Sequence, residues 1–560
     1  MNWPPPHSLG GAQAPLPAVA SRAVRLLAFH SNPEKQMLRT VPLLSLMLCA
    51  AIAGHAGESP QFYFPTTGIT VRDEAVLLAI DDVSLPLKAN LCTYLTKPTV
   101  RKAPVLGPRR DDPKAPDHLA AQFYGTVLFD EGRFRMWYYP VSQSDDAKEI
   151  LQGPVCYAES KDGIEWTRPD LGQIEYKGST HYNAIKLPEE KIEGVNVIKD
   201  ADDPDPQRRY KMVYNPWVAR TFTIQTATSP DGIHWTPRAD YPNKTKFLEQ
   251  SGFLKFGGLY LIHGQDLGYG EGGGRSGRQG YAWVSADFDH WLAATAEAFA
   301  LPEPMAAADR GGVKPYDQVH LGVAGANRGN VVVGLYGLWH NQPGTNDPKK
   351  KDSWFGVAKT TCDLGLVVSN DGIHFREPVK GHVYISRDDS PVTPLEGKPR
   401  PTILIQSTGI LNVGDETRIY HGRWRNADFP LEYGGEIALA TLPRDRWGAL
   451  GLVPGKTEGE VWSAVIELPR TDFTVALNAE NAGAMRVEFA DEQFRPLPGF
   501  SGADSGTAAA SGGLEHAVHW KSGTPSALGG RKVRLRVQMK KEGSDEPRLY
   551  AVYLRGPAQK

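Results

Sequence analysis

Ser160-Lys161-Asp162-Gly163-Ile164-Glu165-Trp166 recurs as Ser229-Pro230-Asp231-Gly232-Ile233-His234-Trp235, Ser285-Ala286-Asp287-Phe288-Asp289-His290-Trp291 and Ser369-Asn370-Asp371-Gly372-Ile373-His374-Phe375. A degenerate copy follows at Thr441-Leu442-Pro443-Arg444-Asp445-Arg446-Trp447. The copies begin 56–84 residues apart, the period of a repeated supersecondary unit with loops of unequal length. Asp and Gly suit a tight turn, and the closing aromatic can pack between neighbouring units. Ahead of each phrase run short β-prone stretches broken by turn residues, most cleanly at 252–256, 259–263 and 281–285. Antiparallel strands repeated in this way define propeller blades. The sequence therefore predicts an all-β fold: a five-bladed β-propeller over residues 57–450, then a C-terminal β-sandwich over 451–560, where alternating strands continue without the phrase.

Bulk composition fits this. With 41% hydrophobic and 22% charged residues the chain can bury large cores, and 58 Gly and 44 Pro point to many turns rather than long helices. A net charge of −2 leaves no electrostatic footprint for nucleic acid. Residues 1–56 read as an upstream extension and a signal peptide: Met37-Leu38-Arg39-Thr40 precedes an apolar run over 41–53, with small residues at Ala51, Ala53, Gly54 and Ala56. That run is too short to span a bilayer, so the expectation is a secreted or periplasmic protein with no membrane segment after cleavage. Beyond Cys49, the remaining Cys92, Cys156 and Cys362 lack metal-like spacing and are expected as free thiols.

In an antiparallel blade the head of the first strand and the end of the second share a face beside the central funnel. Strand heads place Gln122, Tyr124, Glu193, Asn196, Glu249, Asp317, Gln318 and His320 there. Strand ends add Trp137, Trp217, His263, Gln265, Trp339, His340, His421 and Arg423. Planar aromatics, amides and carboxylates suit a sugar, which offers an apolar ring face and many hydroxyls. The four histidines show no short-spaced ligand pair, so no metal and no cofactor is expected. The run Asp200, Asp202, Asp203, Asp205 reads as a solvated turn rather than a calcium loop.

The phrases, the trailing β-sandwich and the segment Glu249-Gln250-Ser251-Gly252-Phe253-Leu254-Lys255-Phe256-Gly257-Gly258-Leu259-Tyr260-Leu261 resemble glycoside hydrolase family 32, the invertases and levanases, over about residues 75–554. The resemblance places Glu249 at that family's general acid/base position. It departs at two points: Gln122 falls where the nucleophile would stand, and the region 193–196 lacks the family's aspartate. Glycoside hydrolysis uses two carboxyl groups. The expected pair is thus Glu249 as acid with Asp317 or Glu193 as partner, while Arg275 and Arg278 position hydroxyls, offset negative charge or read an acidic sugar. The rival expectations are a non-catalytic glycan-binding propeller and a lyase or phosphorylase on the same scaffold.

Overall fold

The computed structural model describes residues 59–556 except 147–148, 219–220, 243–247, 267–277, 293–294, 302–317, 341–360, 398–400, 426–432 and 510–512. The leader-like segment 1–56, Arg275 and Asp317 lie outside the described residues. Among the described residues strand dominates, the helical pieces are short 3-10 turns, and no helix is long and apolar enough to cross a membrane.

Antiparallel strands follow one another in five sets. Set 1 runs Ala120–Asp130, Arg133–Gln143, Cys156–Ser160, Trp166–Thr167, and set 2 runs Ile192–Lys199, Tyr210–Val218, Gln225–Ser229, Thr236–Pro237. Set 3 is Glu249–Phe256, Leu259–Asp266, Gln279–Ser285, Ala296–Phe299, and set 4 is Gln318–Asn327, Val332–His340, Thr361–Ser369, Val383–Ile385. Set 5 is Ile410–Val413, Glu416–Arg425 and Gly434–Pro443, and its outer strand is Thr99–Val100 from near the start of the chain. The first strands of sets 1 to 5 neighbour one another in order, and that of set 5 lies beside that of set 1, so the succession returns to its beginning.

The repeated phrase is the turn between third and fourth strands. Ser160 Oγ accepts the Gly163 N–H (2.8 Å), and Asp162 Oδ1 accepts those of Ile164 (2.8 Å) and Glu165 (2.9 Å). The other three full copies repeat these bonds. The fourth phrase position is left-handed throughout, φ +74° at Gly163, +75° at Gly232 and Gly372, and +69° even at Phe288, which is why glycine is favoured there. Neighbouring sets then bond to that residue's carbonyl. Trp137 Nε1 donates to Gly232 O, His263 Nε2 to Gly372 O and Tyr420 Oη to Gly163 O, each at 2.8 Å. The phrase therefore joins sets as well as turning the chain.

The expected division at residue 450 needs correction. Residues 61–95, assigned from sequence to the propeller, form strands of two sheets that also contain the C-terminal strands. One sheet holds Gln61–Phe64, Ile69–Arg72 and Leu87–Ala89 with Glu458–Trp462, Ile466–Glu467, Met485–Ala490 and Lys532–Lys540. The other holds Glu74–Leu78 and Leu91–Leu95 with Gly448–Leu452, Thr474–Glu480, Gly513–Ala517 and Arg548–Arg555. Phe62, Leu77, Val461, Leu477, Val537 and Val552 share one core between them. The physical reason is pairing: Glu74–Leu78 runs in full register with Arg555 back to Ala551, which removes an open sheet edge.

The acidic run also differs from expectation. Asp200 is buried and holds Lys211 (3.3 Å), Lys255 (2.9 Å) and the Tyr260 hydroxyl (2.5 Å), while Asp203 binds the same fully buried Lys211 at 2.6 Å. A buried ammonium needs such partners, so two of these aspartates are internal counter-ions rather than a solvated turn. Cys92, Cys156 and Cys362 are free thiols, as expected.

Candidate functional site

The first strand of each set is interrupted at the same depth. Register breaks fall between Gln122 and Thr126, Ile192 and Val195, Gln250 and Gly252, and His320 and Val323. In set 5 the strand Ile403–Ile405 ends before Ile410–Val413 begins. A bulge re-aims the side chains around it. At Glu193-Gly194 the glycine has φ +107°, and a Cβ there would lie 3.5 Å from Tyr124 Cβ and 3.3 Å from Gln250 Nε2. The bulge thus sets the backbone at Gly194 against Tyr124 and Gln250.

Beneath, amides and hydroxyls tie the interrupted strands together. Asn196, fully buried, donates to Gln250 Oε1 and accepts from Thr408 Oγ1 at 2.5 Å. Ser407 Oγ accepts the Gly125 N–H (3.0 Å) and donates to Gly125 O (2.6 Å). Gln406 Nε2 donates to His320 O (2.6 Å) and Gly322 O (2.9 Å). The predicted contact residue Asn196 is therefore a tie between strands, its amide engaged inside the protein.

Glu193 and Glu249, both partly exposed, stand near the heads of neighbouring first strands and sense one another's charge. Burial pushes the Glu193 carboxyl well above the usual carboxylate range, the Glu249 charge pushes it further, and only Lys191 opposes. Burial raises Glu249 too, but the Arg278 guanidinium and a 2.5 Å hydrogen bond from Gln265 Nε2 favour its charged form. Gln265 stands opposite Glu249 in register, and its Oε1 accepts the Leu321 N–H at 2.8 Å, so its orientation is fixed. Two interacting carboxyls titrate as a pair. Their surroundings differ: Arg278 and Gln265 favour charge on Glu249, while Lys191 is the group that favours it on Glu193.

Aromatic side chains wall the pair. Tyr124 feels both carboxyls and lies 5.8 Å from the Tyr139 ring. Tyr433 feels Glu193, and its hydroxyl accepts Gln122 Nε2 at 3.1 Å. Arg278, whose backbone N–H is held by Gln318 Oε1 (2.9 Å), stacks 4.5 Å over the Trp339 ring, and Trp339 in turn lies 4.7 Å from His320. Burial and Arg278 keep His320 neutral. At the rim, Trp217 is 39% exposed with Lys191 Nζ 4.4 Å above its ring.

Four predicted contact residues are elsewhere. Trp137 and His263 face neighbouring sets, where they make the phrase bonds already described. His421 and Arg423 converge on the buried Ser390 hydroxyl, at 2.7 and 2.8 Å, with Arg423 also on Glu436 (3.4 Å). His340 Nε2 bonds Asp363 Oδ2 at 2.7 Å, so His263, His340 and His421 each have a different hydrogen-bond partner. Sequence reasoning missed Tyr433, which precedes the strand Gly434–Pro443 and belongs to no repeated position, and Lys191, just ahead of its strand.

The pair has a stability signature. A carboxyl whose folded-state pKa is raised contributes stability present below its ordinary value of about 4.3 and lost as pH rises through the raised value. Glu193→Gln is thus expected to melt with wild type near pH 4 and above it toward pH 8, the gap widening with pH. Thermal unfolding across that range checks this, and a pH-independent gap would contradict the coupling.

No family model matches the chain. Uncharacterized protein Rv1502 of Mycobacterium tuberculosis is 28% identical over 115 residues, 20% of this chain, which thus spans about a third (32%) of that curated relative's length. Among solved structures, a glycosyl hydrolase from Bacteroides ovatus is similar at 14% identity, covering 64% of this chain and 95% of that one, with a TM-score of 0.38. The β-1,2-mannobiose phosphorylase of Listeria innocua gives 13%, 63%, 97% and 0.40. The fructofuranosidase of Schwanniomyces occidentalis gives 10%, 79%, 98% and 0.33. Chemistry must be read from this chain's own side chains.

Proposed function

We propose that this protein is a secreted or periplasmic carbohydrate-active enzyme, a five-bladed β-propeller carrying a β-sandwich, that cleaves a glycosidic bond in the propeller funnel. The observation that carries the reading is the pair of Glu193 and Glu249, one held toward its protonated form and the other supported as a carboxylate by Arg278 and Gln265. An acid and a base or nucleophile kept apart by environment is what glycoside cleavage requires. This reverses the role expected from the sequence. Glu193 donates the proton to the departing oxygen, and Glu249 acts as nucleophile or activates water. Trp217, 39% exposed at the rim, offers a ring for sugar stacking, with the buried Tyr124, Tyr139 and Trp339 backing the site. Export rests on residues 37–56 alone.

Purified protein incubated with a panel of neutral oligosaccharides, with and without phosphate, is expected to release reducing sugars without phosphate, and the Glu193→Gln/Glu249→Gln double variant to bind without release. Phosphate-dependent release would make it a phosphorylase, unsaturated products a lyase. Binding without any release by wild type would leave a glycan-binding propeller.

A further inference from the structure

Buried polar atoms without a protein partner are uncommon in folded proteins, and each asks for an explanation. Eleven side-chain atoms of this kind occur among the described residues, and four of them gather on one wall: Gln122 Oε1, His320 Nδ1, Gln406 Oε1 and Trp424 Nε1. Contacts link them. His320 stacks on Trp424 with centroids 6.4 Å apart and planes 11° from parallel, and Trp424 lies edge-on to Tyr433 at 6.1 Å. The Tyr433 hydroxyl accepts Gln122 Nε2, and Gln406 Nε2 is spent on the carbonyls of His320 and Gly322. The indole N–H of Trp424 approaches Tyr433 without reaching hydrogen-bond geometry. Gln122, His320 and Gln406 are each at most 2% exposed. The wall abuts the carboxylate pair, since Tyr433 and Tyr139 both sense Glu193.

Donor and acceptor types define what fits. Both Gln406 amide hydrogens point at carbonyls, so its Oε1 can only accept and requires a donor; Gln122 Oε1 is a second acceptor, and Trp424 offers a donor. A sugar hydroxyl donates and accepts at once and answers all of these. A carboxylate or sulfate only accepts, would leave the two carbonyls unanswered, and would add a negative charge beside Glu193 and Glu249. We infer that Gln122, His320, Gln406, Trp424 and Tyr433 form a subsite for an uncharged glycosyl unit, whose hydroxyls pair with these atoms while its ring lies against the aromatic wall. The inference rests on the funnel being a glycan site, and it sets aside the acidic or sulfated sugar that Arg278 suggested from sequence.

The test separates it from cleavage by measuring binding. Saturation-transfer NMR on the Glu193→Gln variant uses glucose, mannose, galactose, fructose and N-acetylglucosamine against glucuronate, galacturonate and glucose 6-sulfate as probes. At least one neutral sugar is expected to bind, the acidic ones not, and Trp424→Phe or Gln122→Leu in that background, measured well below each variant's melting temperature, is expected to weaken the neutral sugar about 10-fold. Trp424→Phe keeps a six-membered aromatic ring and removes the N–H together with the five-membered ring that carries it, so Gln122→Leu serves as the independent check. Preference for an acidic sugar, binding indifferent to both substitutions, or no binding by any probe would overturn the inference. Neutral-sugar binding lost in both variants would uphold it even if wild type cleaves nothing, an outcome that refutes only the enzymatic reading.

Discussion

Glu193→Gln and Glu249→Gln should each lower turnover of an ordinary glycoside by about 10²–10⁴-fold, the usual worth of a positioned acid or base, yet they should be rescued differently. A substrate with an aryl leaving group of low pKa needs little proton donation, so Glu193→Gln is expected to recover most of its activity on it. Glu249→Gln should stay inactive on that substrate, and Glu249→Ala, which leaves space where the carboxylate stood, should respond to azide, a small anion that can enter there and attack the sugar. The alkaline limb of the wild-type pH profile, which reports the acid losing its proton, should vanish in Glu193→Gln and persist in Glu249→Gln. Steady-state kinetics on paired substrates decide the matter. If aryl glycosides rescue Glu249→Gln instead, the roles belong the other way round, as the family resemblance first suggested.

Asp445→Ala should destabilise the protein by about 3–5 kcal/mol, the cost of leaving a buried charge without its partner. Asp445 is fully buried, and Arg328 reaches it with Nε at 3.0 Å and Nη2 at 2.8 Å. Asn412 Nδ2 (2.8 Å) and the Tyr553 hydroxyl (3.0 Å) donate to the same carboxylate. The residue thereby joins sets 4 and 5 to the C-terminal strand Arg548–Arg555. Without it Arg328 keeps only Glu74, at 3.3 Å. Such a loss is a large share of a typical 5–15 kcal/mol stability. Urea unfolding measures it, and the Arg328→Met/Asp445→Leu double variant should recover part, because no charge then remains unpaired. A single variant as stable as wild type would show that the cluster bears no load.

The turns were legible because their chemistry is local: a serine, an aspartate and a left-handed residue must fall at fixed offsets to close those hydrogen bonds. The fifth copy reads as degenerate because its aspartate stands two places later, at a backbone φ of +59°. That shift matches its different task of holding Arg328. Glu193 and Glu249 can be placed at strand heads because those positions are indexed from the phrases. Trp137 and His263 were placed in the funnel because side chains alternate along a strand, and an assignment off by one position sends the residue to the opposite face. Here that face is the neighbouring set. The strands between 61 and 95 carry no repeated phrase and find their partners hundreds of residues away, so no local pattern could assign them. Tyr433 was hidden similarly, by lying between strands rather than on one.

The pairing of Glu74–Leu78 with Arg555 back to Ala551 has a consequence for biosynthesis. The early strand is made about 480 residues before its partner. At roughly 5–20 residues per second on the ribosome, it waits on the order of a minute with its hydrogen-bonding edge unmet. Thr99–Val100 waits similarly for Ala440 and Thr441. The five sets can close once the strand Gly434–Pro443 has emerged, whereas the two mixed sheets still wait for Arg548–Arg555. For the sheet that holds Glu74–Leu78, the emergence of Arg548–Arg555 determines when the native pairing becomes attainable.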